Sequence, residues 1–382
     1  MKDAYESLVK FYEFQLGKLP YREEMREALR ATFSEKELRV FFLLPFMGMI
    51  NKPTYEKRAA KAGISAEDLQ AAVRRLSPEG IIDTYEDPAK GRLYGRSPVI
   101  ALLEFQVRLK QDSPMRAVCT KVMNAFIEGA IDTLPNRTPY YRVLPVEATL
   151  TGKTIQDGKE VVLDAVVPDP RQVLPIDQVS EMIKDIDVIA VSDCYCRATK
   201  RLVGEDCGHP LETCFYFNEL GLLKLETGYA RRVDYDEAMR ILRQCEEAGL
   251  VHNVSNCEGK IQTLCNCCPC SCAVLKGVVR GYTNVGAPSR YSSVLIEEKC
   301  NLCGDCVPAC PVKVFSIQDE KLMMNSERCI GCGQCVRVCP EEALTMQLRP
   351  KPPKVYRDND SLFRKINTEA AIGLLARKIK GN

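Results

Sequence analysis

Two stretches, KCNLCGDCVPACPVKVFSI from Lys299 to Ile317 and RCIGCGQCVRVCPEEALTM from Arg328 to Met346, decide how this chain is read. They match each other at a constant offset of 29 residues, and each carries Cys-x2-Cys-x2-Cys-x3-Cys-Pro, an internal repeat. Thiols at this spacing let one tight loop present sulfur to successive corners of a metal group. Gly304, Gly331 and Gly333 allow the backbone to approach that group closely. After its third Cys each run is expected to leave as a short helix holding the fourth, with Pro311 or Pro340 following where no N–H is needed. Ser316 to Met324, bending at Gln318 to Lys321, predicts a hairpin between the halves.

This spacing resembles that of bacterial dicluster ferredoxins, in which the fourth Cys of each run ligates the cluster of the other. The resemblance implies one 4Fe-4S cluster on Cys300, Cys303, Cys306 and Cys339, and a second on Cys329, Cys332, Cys335 and Cys310. Val307, Val314, Phe315, Val336 and Leu344 are then expected as apolar lining between the clusters, and backbone N–H groups tune the potentials. Zinc ribbons also use Cys-x2-Cys, but they pair two such knuckles and need neither a third Cys in succession nor Cys-Pro. The resemblance covers about 57 of the 382 residues and is silent on the others.

Outward from the repeat, cysteine usage divides the chain. Of twenty Cys, only Cys119 precedes position 190. Setting aside Cys119 and the eight of the repeat leaves eleven. Nine form two knots: Cys194, Cys196, Cys207 and Cys214, then Cys265, Cys267, Cys268, Cys270 and Cys272. So many thiols in about 80 residues exceed what core packing needs, and the nine are expected to bind metal. A further iron-sulfur cluster, Zn2+, and thiol-disulfide chemistry without metal all remain open. DCYCR, Cys207-Gly-His-Pro and CNCC resemble the Cys-rich middle region of larger ferredoxin-like proteins of anaerobes. His209 reads more readily as a surface residue or donor than as a ligand. His252 reads as structural and Cys245 as core, while Arg197 is suited to hydrogen-bond a cluster, steer an acidic partner or cap a strand end.

Helices dominate the front of the chain. Ser34 with Glu37 has capping-box spacing, and Ser97-Pro98 and Ser113-Pro114 each set a hydroxyl before a Pro at the first helical position. Between Phe41 and Ser97 come a helix, Thr54 to Ala62, the Gly63 turn, Ser65 to Leu76, and extended runs at Ile81 to Tyr85 and Arg92 to Gly95. That order resembles a winged helix-turn-helix. The first turn of its second helix carries Glu67 and Asp68, which repel phosphate, so partner docking is expected there rather than DNA binding. EVVLDAVV and DVIAV, flanking a helical stretch from Asp177 to Lys184, predict a small mixed α/β pattern.

The fold expected is α+β, in four parts. Residues 1–134 are a helical, winged-helix-like domain, 135–286 a Cys-rich α/β metal-binding domain, 287–348 the ferredoxin-like domain, and 349–382 a linker with a C-terminal docking helix. In that helix Ile366, Ala370, Leu374 and Ile379 form the docking face. A formal charge of +2, from 53 basic and 51 acidic residues, supplies no field to draw nucleic acid or an anionic membrane. The charged opening MKDAYESLVK and the short apolar run Phe41 to Ile50, broken by Pro45, predict a cytoplasmic protein without membrane insertion.

No phosphate loop, dinucleotide fingerprint, nucleophile elbow or H-E-x-x-H occurs, and with two His in the chain acid-base catalysis has few candidates. No catalytic residue is assigned. The expected role is a non-catalytic electron carrier or electron-transfer subunit in anaerobic metabolism, with ferredoxin, flavoprotein or oxidoreductase subunits as partners. A redox-sensing winged-helix regulator is the alternative of another class. An enzyme with an open iron site in the middle domain is a third.

Overall fold

The computed structural model describes residues 3–45, 48–134, 136–156, 159–162, 166–281 and 284–379. Most of its front helices start where side chains satisfy their free amides. Ser34 and Glu37 form a reciprocal capping box on Glu35–Phe41, and Ser113 accepts from Arg116 N ahead of Pro114 on Pro114–Glu128. Ser97 departs from expectation. The helix there begins at Val99, because Ser97 Oγ donates to Asp83 Oδ1 at 2.6 Å while Gln15 Oε1 accepts from Val99 N at 2.7 Å.

Strands β1 (Met49–Asn51), β2 (Ile82–Asp87) and β3 (Gly91–Arg96) form an antiparallel sheet in the order β1-β3-β2, beside helices Lys52–Lys61 and Ala66–Leu76. Ser65 Oγ accepts from Asp68 N, and the Asp68 carboxylate meets Lys36 Nζ at 3.0 Å. Leu29, Phe41, Leu103, Cys119 and Phe126 belong to the front core, which extends without a break to Cys194, Cys196 and Cys214.

The middle of the chain contributes β4 (Tyr141–Leu144), a hairpin of β5 (Lys153–Gln156) and β6 (Lys159–Val162), then β7 (Ile189–Asp193), β8 (Glu212–Phe217), β9 (Arg231–Val233), β10 (Val251–Ser255), β11 (Thr263–Cys267) and β12 (Gly286–Ala287). The expected run EVVLDAVV coincides with β6 as far as Val162, and residues 163–165 lie outside those described. Seven strands make one sheet, ordered β12-β4-β10-β11-β8-β7-β9, antiparallel except for β12 on β4.

Beyond it lie β13 (Tyr291–Leu295), β14 (Phe315–Gln318), β15 (Lys321–Met324) and β16 (Leu344–Leu348). β14 and β15 form the hairpin between the repeat halves, and β13 pairs with β16 across the module. Arg349, first residue of the expected linker, donates to Ser289 O at 3.0 Å and to Cys329 O at 2.6 Å. The last helix, Asn359–Ile379, returns to the middle of the chain: Glu369 accepts from Arg137 N and Thr138 N, and Leu362 is buried. Ile366 and Ala370 are half-buried, and the side chains of residues 374 and 379 lie outside those described. Among the described residues no helix is long and apolar enough to cross a membrane.

Candidate metal centres

The repeat brings its eight thiols together in two sets. One cavity is lined by Cys300, Cys303, Cys306 and Cys339, another by Cys310, Cys329, Cys332 and Cys335. Each fourth Cys thus joins the other half's first three. The fourth thiols also have equivalent donors: Val314 N reaches Cys310 Sγ at 3.2 Å, and Ala343 N reaches Cys339 Sγ at 3.3 Å. Burial comes first among the causes that push the Cys306 thiol up to about 11 and Cys332 up to about 12, so these sulfurs favour a positive partner over a bare anion. Gly331, at φ +69°, has no room for a Cβ, which would fall 2.0 Å from Tyr291 O.

The two sets differ in surroundings. Cys303 is exposed and Cys300 half-buried, whereas Cys329, Cys332 and Cys335 are all buried. The second set faces the seven-stranded sheet, where Val146 N donates to Cys332 O at 2.9 Å and Gln334 Nε2 to Leu250 O at 2.7 Å.

Six of the nine middle cysteines are neighbours in a closed ring, running Cys194, Cys196, Cys272, Cys267, Cys265, Cys214 and back to Cys194. Strand geometry explains half of it: Cys214 and Cys265 are paired across β8 and β11, and Cys267 is two residues on from Cys265, on the same face. The other half comes from helix starts. Cys194 is the N-cap of Tyr195–Leu202, whose first turn holds Cys196, and Cys272 is the N-cap of Ala273–Val279. The neighbouring sulfurs of Cys196 and Cys214 hold Cys194 well below the usual thiol range, those of Cys214 and Cys267 bring Cys265 to about 6, and those of Cys196 and Cys267 hold Cys272 well below that range. The same neighbours push the three intervening thiols up.

The ring borders a cavity of about 460 Å³, against about 20 and 10 Å³ at the two repeat sets. That volume has room for a polynuclear group and more. Its remaining wall is largely apolar and aromatic, including Met123, Phe126, Tyr141, Tyr195 and Tyr216. Glu104 also lines it, accepting from Tyr216 OH and Lys224 Nζ, each at 3.2 Å.

Cys207, Cys268 and Cys270 meet His209 instead, and Cys268 also lines the cavity that the ring borders. The ligand atoms of these four residues all lie within 4.8 Å of one another, a grouping no other His, Cys or carboxylate set makes among the described residues. The sequence suited His209 better to a surface or donor role than to ligation; the structure sets it among these three thiols, and its Cys-x-His at 207–209 has the same spacing as Cys-x-Cys at 268–270. Burial first, then Arg197, holds its imidazole below the usual histidine value and thus neutral, the state in which histidine ligates.

Arg197 is buried and donates to Asn266 O at 3.1 Å, to Cys268 Sγ at 3.7 Å and to Thr213 Oγ1. Burial opposes its charge, and the sulfurs of Cys194, Cys214 and Cys268 more than restore it. His252 is buried between Asn266 and Glu246, and Cys245 is buried in the sheet's core.

A family model described as a 4Fe-4S dicluster domain matches residues 292–340, a segment containing all eight repeat cysteines. Neither a curated protein nor a solved structure matches the chain.

Proposed function

From the premise that residues 292–340 are a 4Fe-4S dicluster domain, which supports a general iron-sulfur electron-transfer role, we propose that this chain is the electron-transfer subunit of an oxidoreductase complex. In this reading a third redox centre sits on the six-thiol ring. The two repeat sets and the ring hold iron-sulfur clusters, which supply one-electron chemistry. Continuity of packing carries the proposal: Cys267 and Cys272 of the ring share one apolar core with Cys306, Cys329, Cys332 and Cys335. Such a core excludes water along the whole path, lowering the reorganisation that each transfer demands. Exposed Cys303 marks the end at which a ferredoxin, flavoprotein or oxidoreductase subunit docks, and the front helices add docking surface.

The 460 Å³ cavity favours a second reading, reduction of a small apolar molecule beside the ring. A regulatory, DNA-binding role gains no support, because Glu67 and Asp68 occupy the turn that would meet phosphate.

The test is iron and acid-labile sulfide per chain in protein purified without oxygen, with EPR during reductive titration. About twelve or more iron and a third reducible signal are expected. About eight iron and no third signal would remove the third centre, and reduced protein unable to pass electrons to a one-electron acceptor would remove the relay.

A further inference from the structure

The nine middle cysteines do not form one knot, and the division has a chemical meaning. Ligand atoms of a single tetrahedral ion lie at the corners of a small tetrahedron. With a zinc-sulfur bond of about 2.3 Å, that edge is about 3.8 Å. Cys207 Sγ and Cys268 Sγ are 3.9 Å apart, and all four ligand atoms of Cys207, His209, Cys268 and Cys270 stay within 4.8 Å. A cubane holds its thiolates at separate corners, well beyond this reach. The ring around its wide cavity suits a polynuclear group, whereas this quartet suits one ion.

We infer that Cys207, His209, Cys268 and Cys270 bind a single Zn2+, separate from any cluster on the ring. The site is assembled from two knuckles of like spacing on loops about 60 residues apart. One precedes β8 and turns at Gly208, whose φ of +72° folds Cys207 and His209 to one side. The other follows β11. Three thiolates and a neutral imidazole around Zn2+ leave one net negative charge, and buried Arg197 faces it at Cys268 Sγ. Ser271 Oγ donates to Cys207 Sγ at 3.5 Å, giving a second sulfur an outer-shell partner. Borderline nitrogen with soft sulfur favours zinc, which such sites bind more tightly than Fe2+.

The ion also acts on the ring. Cys268 follows ring residue Cys267, and Cys270 lies two residues before ring residue Cys272, so a clamp on this loop positions two ring thiols. This inference goes beyond the electron-transfer reading and fails separately from it.

The test uses the full chain, purified without oxygen and without added metal, with zinc counted per chain and the zinc X-ray absorption edge recorded. One zinc with three sulfurs at about 2.3 Å and one nitrogen at about 2.0–2.1 Å is the expected shell. The paired substitution C207S and C270S is expected to abolish zinc while the eight iron of the repeat persist, about the complement of two cubanes. His209→Cys keeps four ligands and guards against a folding failure in that pair; its shell is expected to become four sulfurs. Wild-type protein without zinc, or a shell unchanged by His209→Cys, overturns the inference. Zinc present with no third reducible signal leaves the inference standing and removes the ring centre of the proposed function.

Discussion

Arg197 Nη1 lies 3.7 Å from Cys268 Sγ, so one buried guanidinium joins the loop after β11 to the strands that carry half of the ring. Its other donors go to Asn266 O and Thr213 Oγ1, on β11 and β8, and the carbonyl of Thr213 in turn accepts from Asn266 Nδ2 at 2.7 Å. The cation therefore holds two strands in register as well as balancing thiolate charge.

Arg197→Gln removes that charge while the thiolates stay buried. Breaking a buried charge pairing costs about 3–5 kcal/mol, so a marked fall in the thermal midpoint is expected by circular dichroism. Arg197→Lys should recover only part of it, since an ammonium lacks the planar fork that serves three acceptors. A Gln variant melting with the wild type would show that no such pairing exists.

The two repeat halves should respond differently to the same change. Gly331→Ala places a Cβ 2.0 Å from Tyr291 O at a positive φ, whereas at Gly304, also at positive φ, the nearest atom is Ile317 Cδ1 at 3.4 Å. The expected costs are about 3 kcal/mol or more for Gly331→Ala and about 1 kcal/mol for Gly304→Ala. Thermal midpoints and retained iron of the two variants decide it, and equal effects would sink the argument.

Crossed ligation can be read from non-additivity. Cys339→Ala is expected to remove about four iron. Adding Cys300→Ala, a change in the same spatial set, should remove no more, while adding Cys329→Ala should remove both clusters. The reverse pattern would mean that each run binds its own cluster.

His252 predicts a pH dependence. Burial opposes its charge, but Glu246 Oε1 at 3.0 Å from Nε2 outweighs that and raises its pKa above the ordinary 6.5. A raised folded-state value means that the stabilisation is complete below pH 6.5 and is lost as pH rises through that value. Midpoints should therefore decline across that window. With Glu246→Gln the largest contribution opposing burial is gone and only Asn266 and Glu147 still oppose it, so the decline should flatten. A wild-type midpoint flat through the window would contradict the pairing.

Part of the candidate site was legible because it is local in the chain. The repeat's spacing puts three sulfurs on one loop whatever else the protein does, and the capping box at Ser34 and Glu37 needs only four residues. Ser97 shows the limit: its hydroxyl has the right neighbours for a cap, yet it serves Asp83 on a strand fourteen residues away. A propensity for capping loses to a buried carboxylate that has to be satisfied.

The middle cysteines show the same limit at larger scale. By chain proximity they fall into two knots; in space they fall into a ring of six and a trio with His209. The amino-acid sequence by itself determined the ligand types, the repeat, and the local loops and caps that present them. Only the tertiary structure decided which thiols share a centre. The antiparallel pairing of β8 with β11 sets Cys214 beside Cys265, while Cys267 and Cys268, adjacent in the chain, enter different cores. Metal coordination depends on distances between side chains, and strand pairing and the turn after β11 set those distances across about 60 residues of intervening chain.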